Sequence, residues 1–339
     1  MYWRLVVTKQ ALLQFTISAV LFSSAWSAAM AQPPDPAKVK GPEACGECHT
    51  AEVDAWKGTR HYDTVNSLHR RPKAQEIATK LGISTIKRES LCVNCHYTER
   101  AKGSGKEAIA GISCESCHGA GKDWIDIHGD YGGKNVTREN ETPAHRKQRL
   151  DQSTAKGMLR PDMIFAVAGR CFQCHTVPNE RLVNVGGHKP GSEFELVAWS
   201  QGEVRHNFKR GDNNPESPPE RKRIMYVVGQ GLALEANLRG VSKATEKATF
   251  ATEMAKRVVA ARENLKKING LVRIAEVEQM IATAEQAQLK LKNEAELIKA
   301  ADEVARAVQK FAANSDGKKL AALDPLLPNR NQYKGKIQQ

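Results

Sequence analysis

Eight cysteines fall into four C-x-x-C pairs: Cys45/Cys48, Cys92/Cys95, Cys114/Cys117 and Cys171/Cys174. The residue that follows is a histidine every time: His49, His96, His118 and His175. Disulfides, four-cysteine zinc sites and thioredoxin-like redox pairs all use closely spaced cysteines, but none of them needs that histidine. With 10 histidines in 339 residues, four such coincidences have a chance of about one in a million. The C-x-x-C-H signature of covalent c-type haem requires all three residues. The two thiols add to the two vinyl groups of one porphyrin, and the two intervening residues make the single turn that sets the sulfurs apart. The adjacent imidazole then lies under the ring and binds iron. The expected cofactors are four covalently attached haems c.

Each iron so held has a sixth position to fill. Six further histidines are present: His61, His69, His128, His145, His188 and His206. All lie within the stretch that bears the motifs, and none follows His206. That distribution favours distal ligation by about four of them, because a neutral imidazole is the usual filler and bis-histidine ligation lowers the potential relative to His/Met. Met158 and Met163, near the fourth motif, are the rival ligands. An ordinary surface or core imidazole is the alternative for any one histidine.

The stretch from Cys45 to His206 allots roughly 40 residues to each haem, where a domain usually has about 100–200 residues. Haems at that density must lie close enough to pass electrons. The short connection from His96 to Cys114 leads us to expect the second and third haems close together. Large rings would also fill a core that is poor in aromatic residues, only 6% of the chain.

The N-terminal segment 1–31 reads as a secretory signal. Arg4 and Lys9 precede an apolar stretch from about Ala11 to Trp26, and Ala29-Met30-Ala31 before Gln32 is an A-x-A cleavage pattern. The apolar run carries Gln14, Thr16 and Ser18 and is short for a membrane span. The mature protein is therefore expected in the periplasm, or outside the cell, with no transmembrane segment. Cleavage removes two basic residues and no acids, so the formal charge falls by two from +13. A basic balance suits nucleic acid, an anionic membrane or an acidic protein. Export argues against nucleic acid and leaves an acidic redox donor and acceptor as the expected partners, with Arg70, Arg71, Lys73, Lys209 and Arg210 as a docking rim.

The order of motifs, with "AWKGTRH" (55–61), "CVNCH" (92–96), "GISCESCHGAG" (111–121) and "GRCFQCH" (169–175), resembles the family of tetrahaem cytochromes c that accept electrons from hydroxylamine oxidoreductase in ammonia oxidation. The resemblance runs from about Gly41 to Phe208. It implies a mostly helical and loop fold with stacked and perpendicular haem pairs. It also implies three distal ligands: His61 for the third haem, opposite His118; His128 for the first, opposite His49; and His206 for the fourth, opposite His175. The second haem, with His96, is open in the family pattern. In this chain His188 ("GGHKPGSEF") or His69 ("NSLHRRP") could close it, and the three states stay open here. His145 matches no role and is expected to meet solvent or a propionate. A closed second iron makes the chain an electron carrier and not an enzyme. An open one would permit redox chemistry on nitric oxide or hydroxylamine.

Beyond the motifs, "NNPESPPERKR" (213–223) is polar and proline-rich and reads as a linker. Apolar residues then recur at helical spacing, first at Phe250, Met254, Val258, Ala261, Leu265 and Ile268. After Asn269-Gly270 they resume at Val277, Ile281, Ala284, Leu291, Ile298, Val304 and Val308. This predicts two long helices in a hairpin, preceded by a shorter helix from about Arg221 to Arg239. The expected organisation is a signal peptide (1–31), a tetrahaem domain (41–212), the linker (213–223), a helical hairpin or bundle (224–315) and an extended tail (316–339). The fold class is mainly α. The bundle either shields a haem edge or makes a homo-oligomer, larger complex or filament.

Overall fold

A computed structural model describes residues 33–208 and 213–337. The expected signal peptide, and Lys209 and Arg210 of the expected docking rim, lie outside the described residues. The architecture is mainly α, as expected. The motif-bearing half is built from short helices: α1 (Pro42–Gly46), α2 (Thr50–Lys57), α3 (Arg60–Ser67), α4 (Pro72–Leu81), α5 (Ser90–His96), α6 (Cys114–His118), α7 (Ile125–His128), α8 (Pro143–Ala155), α9 (Ile164–His175), α10 (Glu180–Asn184) and α11 (Leu196–Ser200). One antiparallel hairpin, β1 (Thr98–Lys102) and β2 (Gly105–Ala110), joins the second motif to the third. The remainder is four longer helices, α12 (Pro219–Ser242), α13 (Thr249–Leu271), α14 (Ala275–Gln286) and α15 (Glu294–Asn314), followed by 3-10 turns at Gly317–Leu326 and Arg330–Gln332.

The apolar positions predicted for the first long helix are all buried on α13: Phe250, Met254, Val258, Ala261, Leu265 and Ile268. Two expectations for this region need correction. The helix before the hairpin is not a short preface: α12 has 24 residues against 23 in α13 and 21 in α15. It is the central helix, packed by α13, α15, α9 and α11. Val227, Val228, Leu234 and Leu238 have no exposed surface, and both faces of the helix are covered. A helix buried all round carries no one-sided apolar stripe, so periodicity understates it.

The second predicted helix is two. The run from Val277 to Val308 breaks at residues 287–293, where Lys292 takes φ 59° and Asn293 donates its side-chain N–H to the Gln288 carbonyl at 2.9 Å. An unbroken helix over this run would extend about 50 Å at about 1.5 Å per residue, well past α12. The break lets α14 and α15 fold onto each other and onto α12. Glu294 and Glu296 then complement the exposed N–H groups of the new helix start.

The proline-rich stretch is packed. Asn214 and Ser217 are buried, and the Ser217 amide donates to Gln201 Oε1 at 2.7 Å. Glu216 accepts from Lys222, Arg330 and Tyr333. The tail is a strap over this region: Lys334 donates to the Ala198 carbonyl at 2.9 Å and accepts from Glu203 N at 2.8 Å. Arg223 clamps Asp324 with two bonds, 2.6 and 2.7 Å. One continuous core runs from Ala168 and Phe172 on α9 through α12 to Phe311 on α15, so the fourth motif is seated on the bundle. Among the described residues no helix is long and apolar enough to cross a membrane.

Close packing of α12 depends on a glycine. A Cβ at Gly231 would lie 2.4 Å from Val308 Cγ2 and 3.0 Å from Met280 Sδ. At Gly270, near the end of α13, a Cβ would meet nothing within 4 Å. Helix propensity favours alanine at both positions by up to about 1 kcal/mol, but overpacking costs about 1–3 kcal/mol. Denaturant unfolding should therefore show Gly231→Ala destabilised and Gly270→Ala unchanged or more stable.

Candidate functional site

Helix geometry explains the motif spacing. In α6 (CESCH) the first cysteine, the second at i+3 and the histidine at i+4 share one face. The same turn is present at the ends of α5 and α9. It continues past α1, where His49 N donates to the Cys45 carbonyl at 2.9 Å. Ser113 caps α6 in a reciprocal box with Ser116, which defines where the third motif begins. No disulfide joins any of the eight cysteines.

The first motif departs from the other three in its surroundings. Cys48 is exposed, whereas the other seven cysteines are partly enclosed. The reason is local: α1 ends at Gly46, so Cys48 sits in the turn beyond it, with its amide bonded to the Cys45 carbonyl at 3.3 Å. His49 beside it is exposed too. The thiol remains on the motif's reacting face, so attachment is not prevented. A haem held there would present its Cys48 edge to solvent.

Each motif histidine faces a second imidazole. The ring centres of His49 and His128 are 6.2 Å apart, His61 and His175 6.2 Å, His96 and His188 6.4 Å, and His118 and His206 6.1 Å. A metal ion between two imidazole nitrogens sits about 2 Å from each, which puts the ring centres about 6 Å apart. Five of these eight rings have Nδ1 held by an oxygen. His118 bonds the Leu159 carbonyl at 2.8 Å, His128 that of Ile125 at 2.5 Å, His188 that of Lys189 at 2.7 Å and His206 that of Val204 at 2.7 Å. His175 bonds Ser192 Oγ at 2.8 Å. A carbonyl at Nδ1 holds the proton there and leaves Nε2 with its lone pair for a metal. Burial also favours the neutral form. It holds His96 and His175 down to about 4, and lowers His61, His118 and His128.

The pairs agree in part with the expected cross-ligation. His128 faces His49 as expected, and of the alternatives for the second motif the structure brings His188 to His96. His61 and His206 are exchanged: His61 faces His175 rather than His118, and His206 faces His118 rather than His175. The cause is the seating of α3. Arg60 bonds Glu203 at 3.0 Å and lies 5.3 Å from the centre of the Trp199 ring, while Trp199 and Phe194 pack on His175. These contacts hold α3 over the fourth motif. Because α6 and α9 pack together, the two sites adjoin.

Contacts between thiols order the motifs. Contact with Cys114, then burial, pushes the Cys45 thiol up. Contact with Cys95, again reinforced by burial, raises Cys174. Cys171 is raised by burial and next by nearby Cys117. The motifs therefore run first–third–fourth–second through the fold.

Two side chains that the motif pattern does not single out support the sites. Glu115, between the cysteines of the third motif, is 1% exposed and accepts from three backbone amides: Lys40 at 2.9 Å, Gly41 at 2.8 Å and Gly121 at 2.6 Å. It ties the segment entering the first motif to the third. Its only sequence signal is a carboxylate in a position that faces away from the haem side. Arg149 on α8 donates to the His128 carbonyl at 2.7 Å and to both oxygens of Glu141. His145 is the other partner of Glu141, at 2.8 Å, and keeps 34% of its side chain exposed, so it meets solvent as expected. His69 faces no motif histidine among these pairs.

The residues present fit a haem at each pair. The protein supplies two axial nitrogens and two thiols, and among the described residues no group of three or more His, Cys, Asp or Glu side chains forms a self-sufficient metal site. Buried donors next to the motifs lack protein partners: Tyr97 Oη, directly after the second motif, and Trp124 Nε1, whose ring stands edge-on to His128 at 5.1 Å. Porphyrin carboxylates are acceptors of the right kind for such donors.

Residues 44–119 match the family described as Cytochrome c554 and c-prime. That segment carries the first three motifs. The resemblance expected from the sequence is thus to the family that matches, and c-type haem is its implied cofactor. A curated relative, cytochrome c-554 of Nitrosomonas europaea, is 27% identical over 148 residues, covering 41% of this chain and 58% of the relative. The chain therefore spans less than two thirds of that relative's length. No solved structure matches the chain significantly.

The supporting residues can be tested directly. Glu115→Ala leaves three amides without their acceptor, at about 1–3 kcal/mol each, so denaturant unfolding should show a loss of at least about 3 kcal/mol. Glu141 is held down to about 2, chiefly by its bond from Arg149. A depressed carboxylate stabilises the fold above its ordinary pKa, near 4.3, and loses that contribution as pH falls through the folded value. Acid unfolding of the native protein between about pH 4 and 2 should therefore exceed that of Glu141→Gln.

Proposed function

We propose that the chain is an exported tetrahaem c-type cytochrome that carries electrons between redox proteins. Covalent attachment would use Cys45/Cys48, Cys92/Cys95, Cys114/Cys117 and Cys171/Cys174. The axial pairs would be His49/His128, His96/His188, His118/His206 and His175/His61. Haem iron, when bound, supplies a reversible one-electron couple. The remaining work belongs to the chain. Backbone carbonyls would set the tautomers of His118, His128, His188 and His206, burial favours the neutral form of His61, His96, His118, His128 and His175, and the first–third–fourth–second order would make a continuous path from one end of the domain to the other.

The observation that carries this reading is the set of four facing imidazole pairs, one for each C-x-x-C-H. The pairing of His188 with His96 argues against the alternative of a redox enzyme of small nitrogen compounds, because such chemistry needs a vacant iron position. The match of residues 44–119 to the family described as Cytochrome c554 and c-prime supports the carrier reading from a separate direction.

Electron paramagnetic resonance of the oxidised holoprotein should show only low-spin iron, with no optical change on adding nitric oxide. His188→Ala should convert about one iron in four to high spin, as expected when an axial ligand is lost. A high-spin signal in the unaltered protein, or an unchanged spectrum in His188→Ala, would overturn the assignment.

A further inference from the structure

The segments that carry the two ends of the motif array differ in charge. At the second-motif end, residues 70–89 hold six basic and two acidic side chains, a net charge of +4. At the first-motif end, residues 43–57 hold four acidic side chains and one lysine, a net charge of −3. Both faces are exposed: Arg70, Lys73 and Lys80 at one end, Glu43, Glu47 and Asp54 at the other. Some of this charge is paired locally, Lys73 and Lys80 with Glu76 and Lys57 with Asp54. The imbalance remains, because one glutamate faces two lysines at the basic end.

The basic face also has an apolar centre. Val185 is 53% exposed, and it is the one large apolar side chain so exposed in the motif-bearing half of the described residues; Val259 and Leu271 lie on α13. Val185 is held beside α4 by Arg181, which donates to the Leu81 carbonyl at 2.9 Å. The ammonium groups of Lys80 and Lys73 lie 3.6 and 4.0 Å from where a Cβ would stand at Gly187. Exposed Lys189 follows His188 directly. An apolar spot ringed by one sign of charge, next to the ligand pair of a terminal site, has the anatomy of a transient docking surface.

We propose that an acidic redox protein docks on this second-motif face, over Val185 and between Lys73, Lys80 and Lys189, while the acidic first-motif end repels it. The overall charge alone suggests an acidic partner at either end; the opposite net charges of segments 43–57 and 70–89 favour the second-motif end. The proposal rests on the carrier reading above and adds where that carrier is met.

The test uses the holoprotein and flavodoxin, a small acidic redox protein, at low ionic strength. Carbodiimide coupling of flavodoxin carboxylates should map to Lys73, Lys80 or Lys189. The Lys73→Glu/Lys80→Glu variant should weaken binding about tenfold or more, whereas Glu47→Lys/Asp54→Lys should leave it unchanged or tighter. Cross-links elsewhere, equal effects of the two variants, or no binding would overturn the proposal. So would head-to-tail association of this chain in sedimentation that either charge reversal abolishes, since a second copy would then occupy the face. Low-spin spectra in both variants show intact sites, and failure of the carrier reading would appear separately, as high-spin iron in the unaltered protein.

Discussion

Each candidate site needs two imidazoles that face each other with ring centres 6.1 to 6.4 Å apart. In every case they come from segments far apart in the chain, His49 with His128 and His61 with His175 among them. Bringing such distant segments together costs loop-closure entropy that grows with the logarithm of loop length. The motif-bearing half has little apolar core to offset that cost. Apart from the cluster it shares with the bundle, it holds a small buried apolar cluster of Ala78, Ile86, Val93 and Tyr97, with Val53, Leu81, Trp124 and a few others buried outside it. Metal ligation across four facing pairs would supply what the apolar core does not, and would lock the long loops at the same time.

Polar contacts hold the facing imidazoles near their places. Glu115 joins the first motif to the third through buried amides. Arg149 holds the His128 carbonyl while Glu141 neutralises it. Arg60 spans from α3 to Glu203 and Trp199 beside His175. Each of these contacts crosses between segments that carry different ligands, so each reduces the conformational freedom that ligation would otherwise have to remove.

The C-terminal bundle works differently. Its core is dense and apolar, and α12 runs through the middle of it with residues that have no exposed surface. A buried polar group, Glu235 and Arg239 with Asp302, fixes α12 against α15. Because α9 contributes Ala168 and Phe172 to the same core, the bundle is a rigid base for the fourth motif. Through α9 it also steadies its neighbours, α5 and α6. A carrier gains from such rigidity, since its sites must keep fixed separations while charge passes between them.

The residues that would bind haem were legible from local pattern alone, because C-x-x-C-H is a one-turn constraint that needs no tertiary information. The same holds for the buried stripe of α13 and for the mainly helical class. How far each motif is enclosed was not legible, since the exposure of Cys48 depends on which helices pack over the turn after α1. Which distal histidine meets which motif was hidden in the same way. Ligand identity depends on residue type, but pairing depends on how α3 and the 199–206 segment pass two adjoining sites, and contacts such as Arg60 with Glu203 are invisible to spacing. That limit also hid the centrality of α12, since burial on every side erases periodicity, and the break before α15, which no proline or glycine marks. Charge behaves likewise: the opposite net charges of segments 43–57 and 70–89 are readable in the sequence, but only the fold decided that these segments lie at the ends of the array, because the ends are defined by the spatial order of motifs rather than by their order in the chain.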